Sequence, residues 1–301
     1  MQFDRLPPAL RDWFRETIAR GTSRAAALDA LIGAGYQRSY AEEAVVCAWN
    51  RIGPPPVAAS DLRIVDPSVV ANDDALPQAL TAAGGATTPN RIAVDGREIE
   101  VRFALKSPRV VLFGNLLSAS ECDELIEQSR GKLERSSVVN AATGAYDIHP
   151  HRTSLGAHFR RGENGLIRRI EQRISTLLDF PVVHGEPIQV LHYRPGAEYR
   201  PHFDYFDPAQ PGSDKVLAMG GQRVATLVMY LNDCAAGGAT VFPQLGLEVM
   251  PQRGSALYFA YTATDGALDA RSLHGGAPVL AGEKWVATKW LREFEYVGPS
   301  A

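Results

Sequence analysis

Between residues 224 and 291, short runs of β-branched, aromatic and aliphatic residues alternate with Gly- and Pro-bearing turns, leaving little room for ordinary helices. Residues 224–231 are continuously apolar, as expected of a strand buried on both faces. Residues 239–242 follow the turn signal Gly237-Gly238. Residues 247–250 and 255–261 flank Pro251-Gln252-Arg253-Gly254, which reads as a hairpin turn. Residues 284–291 hold two tryptophans, a valine and a threonine and form a further strand candidate. Strands this short and this closely spaced predict a sandwich or closed roll with a ligand site at its mouth.

The chemistry-bearing residues fall inside this region. His202 and Asp204 lie two positions apart, so in an extended strand they point the same way, roughly 7 Å apart along the backbone. His274 supplies a second imidazole far downstream, and Lys284 follows it. Two histidines and one carboxylate with open coordination positions describe the facial triad of a non-haem Fe(II) oxygenase, with the lysine holding the far carboxylate of a 2-oxo-acid co-substrate. Taken alone, the His202–Asp204 pair also reads as a buried histidine beside a surface aspartate. Period two places Lys284, Val286, Thr288 and Trp290 on one face of their strand. If that face lines the roll, the Lys284 ammonium needs a partner, which a ligand carboxylate would provide; if it faces outward, Lys284 is solvated. Lys289 lies on the opposite face and is expected in solvent.

Residues 97–296 resemble the prolyl 4-hydroxylase family of Fe(II)/2-oxoglutarate dioxygenases. The matching motifs, in order, are Gln189-Val190-Leu191-His192-Tyr193, Arg223-Val224-Ala225-Thr226, Gly237-Gly238-Ala239-Thr240-Val241-Phe242-Pro243, and Ser272-Leu273-His274 through Trp290. Ala277 and Phe203 stand where cysteine and tyrosine are common in the family. The resemblance implies a mainly β fold with flanking helices, a double-stranded β-helix or jelly roll. His202, Asp204 and His274 would bind Fe(II), and Lys284 would pair with the C5 carboxylate of 2-oxoglutarate. Tyr193 and Thr226 match positions contacting the same co-substrate. Tyr199, Arg223 and Trp290 match positions near a peptidyl substrate, as do Arg152, Ser154 and Glu186.

The implied reaction is 4-hydroxylation of a prolyl residue in a protein or peptide, coupled to decarboxylation of 2-oxoglutarate to succinate and CO2. O2 is the oxidant, and ascorbate is the reductant the family often uses to rescue oxidised iron. The same chemistry on another residue or a free amino acid stays open, as does a metal-binding interaction or sensor module without turnover. A zinc hydrolase on the same ligands is disfavoured, because no general base stands beside them. Residues 205–221, rich in Pro, Gly and Asp, and residues 136–151, with Gly144 inside, are candidate lids over the site. His149 and His151 in the second read as loop histidines rather than metal ligands.

The remaining sequence bounds the setting. A formal charge of −3 gives no reason to expect a nucleic-acid partner. Arg168 and Arg169 fit the solvated side of a helix whose apolar positions are Leu166, Ile170, Ile174 and Leu177. Cys47, Cys122 and Cys234 are odd in number and widely spaced, so no disulfide framework is read from them. The opening residues lack a signal-peptide pattern and no stretch is long enough to span a membrane, so a cytoplasmic location is expected.

Residues 1–52 read as a helical module of three short helices, with stripes at Leu10, Phe14 and Ile18, then Ala27, Leu28, Leu31 and Ile32. Ser39 with Glu42 forms a capping-box pattern for the third. The module faintly resembles a ubiquitin-associated-type bundle, which implies either recruitment of a protein partner or a stabilising cap. Residues 53–92, with Pro54-Pro55-Pro56 and Gly84-Gly85, read as a linker, and residues 93–301 as the oxygenase domain. Ser118 and Glu121 form a second capping box inside that domain.

Overall fold

The computed structural model describes residues 3–19, 22, 24–52, 90–140, 142–261 and 267–298. The segment read as a linker therefore lies, from 53 to 89, outside the described residues. The chain divides into two units, Met1–Val69 and Val70–Ala301.

In the first unit, helices α1 (Pro8–Ala19), α2 (Arg24–Gly33) and α3 (Arg38–Ile52) enclose their own core of Phe3, Leu6, Leu10, Phe14, Ile18, Ala27, Leu31 and Val45. The apolar stripes read from the sequence supply most of that core. The third helix starts at Arg38, so Ser39 lies within its first turn instead of capping it.

The second unit is built on two facing sheets. Its strands run β1 (Arg91–Val94), β2 (Arg97–Leu105), β3 (Val110–Gly114), β4 (Glu134–Arg135), β5 (Ser137–Val139), β6 (Tyr146–Ile148) and β7 (Leu155–Phe159). They continue as β8 (Ile188–Tyr193), β9 (Tyr199–His202), β10 (Arg223–Tyr230), β11 (Ala236–Gly237), β12 (Thr240–Phe242) and β13 (Leu247–Val249). The last are β14 (Ala256–Ala260), β15 (His274–Gly276), β16 (Val279–Ala281) and β17 (Lys284–Arg292). Among the described residues the larger sheet has the order β1-β2-β3-β14-β10-β17-β8-β7-β4 and the smaller one β13-β12-β15-β9. Leu191, Tyr193, Tyr230, Phe242, Val249, Leu257, Phe259 and Val286 fill the space between the sheets. This is the jelly roll expected from the sequence.

The outer face of the larger sheet is covered by two helices, Ala119–Arg130 and Gly165–Leu178. The first opens with the Ser118–Glu121 capping box, both of whose reciprocal bonds are present. The second buries Leu166, Ile170, Ile174 and Leu177 while Arg168 and Arg169 stay exposed. These side chains join Leu227, Met229, Trp285, Ala287 and Leu291 in one core. No described helix is long and apolar enough to cross a membrane.

Two further expectations change. Residues 251–254 do not close a hairpin: β13 pairs with β12 in the smaller sheet, while β14 pairs with β10 and β3 in the larger. The turn thus carries the chain between sheets, and Gly254, at φ 78, has its carbonyl bound by the Leu117 amide. The true hairpin at the start of the unit joins β1 to β2 through Asp95-Gly96, both at positive φ. Lys289 is not in solvent: the face opposite the roll is packed under a helix, where its ammonium meets Glu171 at 2.6 Å.

Candidate active site

Strand register brings the two histidines together. β15 pairs antiparallel with β9 so that His274 stands directly opposite His202. The chain leaves β9 at His202 and turns Asp204 in beneath both rings. Asp204 Oδ1 lies 3.5 Å from His202 Nε2, and Asp204 Oδ2 lies 3.5 Å from His274 Nε2. All three ligand atoms fall within 4.8 Å of one another, the one such cluster among the described residues.

The neighbours fix the chemical form of each group. His202 Nδ1 is 3.0 Å from the Arg200 carbonyl and His274 Nδ1 is 3.0 Å from the Ser272 carbonyl. A carbonyl only accepts, so each ring donates from Nδ1 and keeps its Nε2 lone pair free for a metal. Thr226 Oγ1 donates to Asp204 Oδ2 at 2.6 Å. Burial opposes the Asp204 charge, but His274 and His202 outweigh it and hold the carboxyl well below its usual range. Burial, then the neighbouring His274, lowers the His202 pKa. Two imidazoles that donate from Nδ1 and an ionised carboxylate, with their outer hydrogen bonds made and an open side toward a cavity, fit Fe(II) as a facial triad. Tyr199 stacks on His202 at 3.6 Å between ring centres, and Phe259 lies 4.4 Å from His274.

The same cavity, about 900 Å³, is lined by Lys284, Tyr193 and Thr226. That volume accommodates a small dicarboxylate and part of a second substrate. Lys284 stands opposite Tyr193 in the β17–β8 ladder, with Nζ 5.4 Å from the phenol ring. Its ammonium is buried, and desolvation pushes its pKa down to about 8, against a smaller opposing effect of Cys234. Among the described residues it has no acidic partner at ion-pair distance, so a ligand carboxylate fits it. Burial raises the Tyr193 pKa, keeping the phenol protonated. Of the three positions expected at the co-substrate, Thr226 has its hydroxyl committed to Asp204.

The six remaining residues separate into two groups. Arg152 and Tyr199 form one wall, the guanidinium 4.9 Å above the phenol ring. Arg223 and Trp290 form another: Arg223 Cζ lies 4.2 Å from the Trp290 ring centre and 4.9 Å from that of Phe206. Glu186 accepts from Arg223 Nε at 2.6 Å and Nη2 at 2.9 Å, and from Arg292 Nε at 2.6 Å. Burial opposes its ionisation, but the two arginines keep its pKa below the usual value. Ser154 is the member that does not line the cavity; it donates to Ser136 at 3.0 Å and hydrogen-bonds the Tyr193 phenol from behind.

Both candidate lids line the cavity. In one, β5 (Ser137–Val139) pairs antiparallel with β6 (Tyr146–Ile148), and residues 205–217 run beside this pair. They touch where Lys215 Nζ donates to the Thr143 carbonyl at 3.0 Å. Gly144 is required there, since a Cβ would sit 2.6 Å from the Gly212 carbonyl. His149 and His151 pack edge to face, 4.4 Å apart. Two further cavity residues had no assigned role in the sequence reading: Gln189, whose signal is its period-two spacing with Leu191 and Tyr193, and His158, which has none.

Comparison with known proteins gives the family. Residues 188–292 match the 2OG-Fe(II) oxygenase superfamily, a stretch that contains all three triad residues and Lys284. Prolyl 4-hydroxylase 1 of Arabidopsis thaliana is 41% identical over 202 residues, 62% of this chain and 70% of that protein. Prolyl 4-hydroxylase 5 of the same plant is 39% identical over 208 residues, 63% of this chain and 70% of that one. Among solved structures, the viral collagen prolyl hydroxylase of Paramecium Bursaria Chlorella virus-1 aligns at 29% identity and a TM-score of 0.49, covering 61% of this chain and 95% of that one. With identity of this level sustained across more than two-thirds of the plant enzymes, the chain belongs to the prolyl 4-hydroxylase family of 2-oxoglutarate-dependent Fe(II) oxygenases.

Proposed function

We propose that the protein hydroxylates the 4-position of prolyl residues in a protein or peptide. The observation that carries this reading is one cavity holding both a His–His–Asp donor set and a buried ammonium with no acidic partner. Fe(II) bound by His202, Asp204 and His274 would supply the oxidising chemistry: 2-oxoglutarate, O2 and a C–H bond give succinate, CO2 and C–OH. The other residues orient the reactants and exclude water. Lys284 pairs with the C5 carboxylate of 2-oxoglutarate, which replaces the solvation that burial removes. The aromatic surface of Trp290 and the edge of Tyr199 suit a pyrrolidine ring. Trp290 Nε1–H is buried without a hydrogen-bond partner and is available to a peptide carbonyl. Arg223 and Glu186 hold the Trp290 ring in place. The hairpin and the neighbouring segment close over the occupied site, where misplacement of the target carbon by about 1 Å costs on the order of 100-fold in rate.

Ascorbate is proposed as the reductant that returns oxidised iron to Fe(II). The helical unit, which carries a core of its own, is proposed to recruit a protein partner. Deleting residues 1–52 should then leave turnover of a short peptide intact.

The test is succinate formation by the purified protein with Fe(II), O2 and 2-oxoglutarate, with and without a proline-rich peptide, reading peptide mass in parallel. Peptide-stimulated succinate with one oxygen atom added to proline is expected. Succinate without peptide modification would move the substrate to another residue or a free amino acid. No succinate with iron bound would replace the enzyme reading by a binding module.

A further inference from the structure

A line of contacts leads from the edge of the cavity to the triad. His158 on β7 stands directly opposite Gln189 on β8, with His158 Nε2 3.0 Å from Gln189 Nε2. Gln189 Oε1 accepts from Arg152 Nη2 at 2.8 Å, and Arg152 Nη1 donates to the Ser137 carbonyl at 2.8 Å. The guanidinium lies over Tyr199, which stacks on His202. His158 is exposed, whereas Gln189 and Arg152 are buried.

The hydrogen-bond inventory of these groups allows one arrangement. A guanidinium only donates, so the Gln189 oxygen must face Arg152 and its NH2 must face His158. The NH2 group in turn only donates, so His158 must accept at Nε2 and carry its proton on Nδ1. A second proton on the ring would set Nε2–H against the amide NH2. Reversing the amide would relieve that clash and create another, donor against donor, at Arg152.

We propose that His158 is a positioning residue for the oxygenase site. Its unprotonated Nε2 holds the Gln189 amide in the orientation that anchors Arg152 over Tyr199, and protonation of His158 releases Arg152. Because Arg152 also binds the backbone of β5, release would loosen the hairpin over the substrate as well as the wall beside His202. The charged groups facing His158 are Arg152 from the segment before β7, Glu134 on β4 and Glu186 from the segment before β8. Although part of the residue reaches solvent, neighbouring atoms desolvate the ring, and this, then the charge of Arg152, lowers the His158 pKa, while Glu134 and Glu186 oppose it. At neutral pH the ring is therefore in its accepting form, and the anchor is lost as pH falls through that titration.

The consequence for peptide rests on the prolyl hydroxylase reading; the state of His158 and Arg152 does not. NMR of the full chain tests the latter directly. The His158 ring nitrogens should show the Nδ1–H tautomer, and the Arg152 Nε–H signal should shift with the same midpoint as His158. An Nε2–H tautomer, or an Arg152 signal unmoved while His158 titrates, would overturn the proposal. The KM for a proline-containing peptide should rise about tenfold for each pH unit below the midpoint, with kcat little changed. His158→Gln, whose Oε1 can stand where Nε2 does and accepts at every pH, should remove that rise, whereas equal pH profiles in both proteins would also overturn it. If neither protein turns over peptide at any pH, the functional reading fails while the NMR result still decides the role of His158.

Discussion

His202 and His274 are direct cross-strand partners, facing each other across the β9–β15 ladder with ring centres 4.5 Å apart. The triad is thus a property of strand register: a slip of one residue would turn one imidazole to the opposite face of the smaller sheet. His202→Ala or His274→Ala should lower Fe(II) affinity by about 100-fold or more, exceeding the effect of losing an outer-shell partner. Titration calorimetry with Fe(II) under anaerobic conditions checks this. Metal binding near that of the parent protein would remove the residue from the ligand set.

Thr226 contributes one step further out. Its hydroxyl donates to Asp204 Oδ2 at 2.6 Å, holding the carboxylate with Oδ1 toward His202 and Oδ2 toward His274. Thr226→Val keeps the shape and deletes the donor, so metal affinity should fall about 10- to 100-fold while Thr226→Ser retains it. If the main effect of Thr226→Val were instead on the KM for 2-oxoglutarate, with metal affinity kept, Thr226 would belong to the co-substrate as the family resemblance implied.

Lys284 gives a pH dependence with a defined sign. Burial lowers its pKa from 10.5 to about 8, and a bound carboxylate should raise it again. Binding of 2-oxoglutarate above pH 8 should therefore take up a proton, and affinity should fall as pH rises past that point. For stability the sign is opposite. Between the folded and unfolded values the unfolded chain holds more protons, so the ligand-free protein gains stability from this group as pH rises through that window. Calorimetry at pH 8.5 in two buffers of different ionisation heat measures the uptake, which should vanish in Lys284→Ala.

The fold and the candidate pair His202 and Asp204 were legible because both are written in local pattern. Short strands and turns encode the roll, and His202-Phe203-Asp204 sits where a strand ends at a cavity. The role of residues 251–254 was not legible, because a turn looks the same whether it closes a hairpin or carries the chain to another sheet. Glu186 illustrates a second limit. Its partners, Arg223 and Arg292, are distant in sequence, and only the fold shows that its carboxylate is already saturated. Ser154 likewise gave no sign that it stands behind Tyr193 and not in the wall.

Glu186 should accordingly act on stability before chemistry. Glu186→Gln leaves two buried guanidinium groups without their carboxylate and should cost about 3–5 kcal/mol in urea unfolding. Its folded pKa is lowered, so its contribution is present above the unfolded value and lost as pH falls through the folded one. A variant of parental stability with altered peptide KM would make Glu186 a substrate contact instead.

Lys289 carries the same logic to the helix-packed face. Period two correctly separates it from Lys284 but says nothing about what covers the far side. There the Gly165–Leu178 helix presents Glu171, whose other oxygen accepts from the Gly162 amide at 2.8 Å. Removing one partner strands the other, so Lys289→Met alone should destabilise by about 3–5 kcal/mol. Lys289→Met with Glu171→Gln should recover most of that loss, because the glutamine can still accept from Gly162 and no charge is left buried. Additive losses in the two single variants and the double variant would show that the pair is not coupled. Unchanged stability in Lys289→Met would return this lysine to solvent, as its spacing alone had implied.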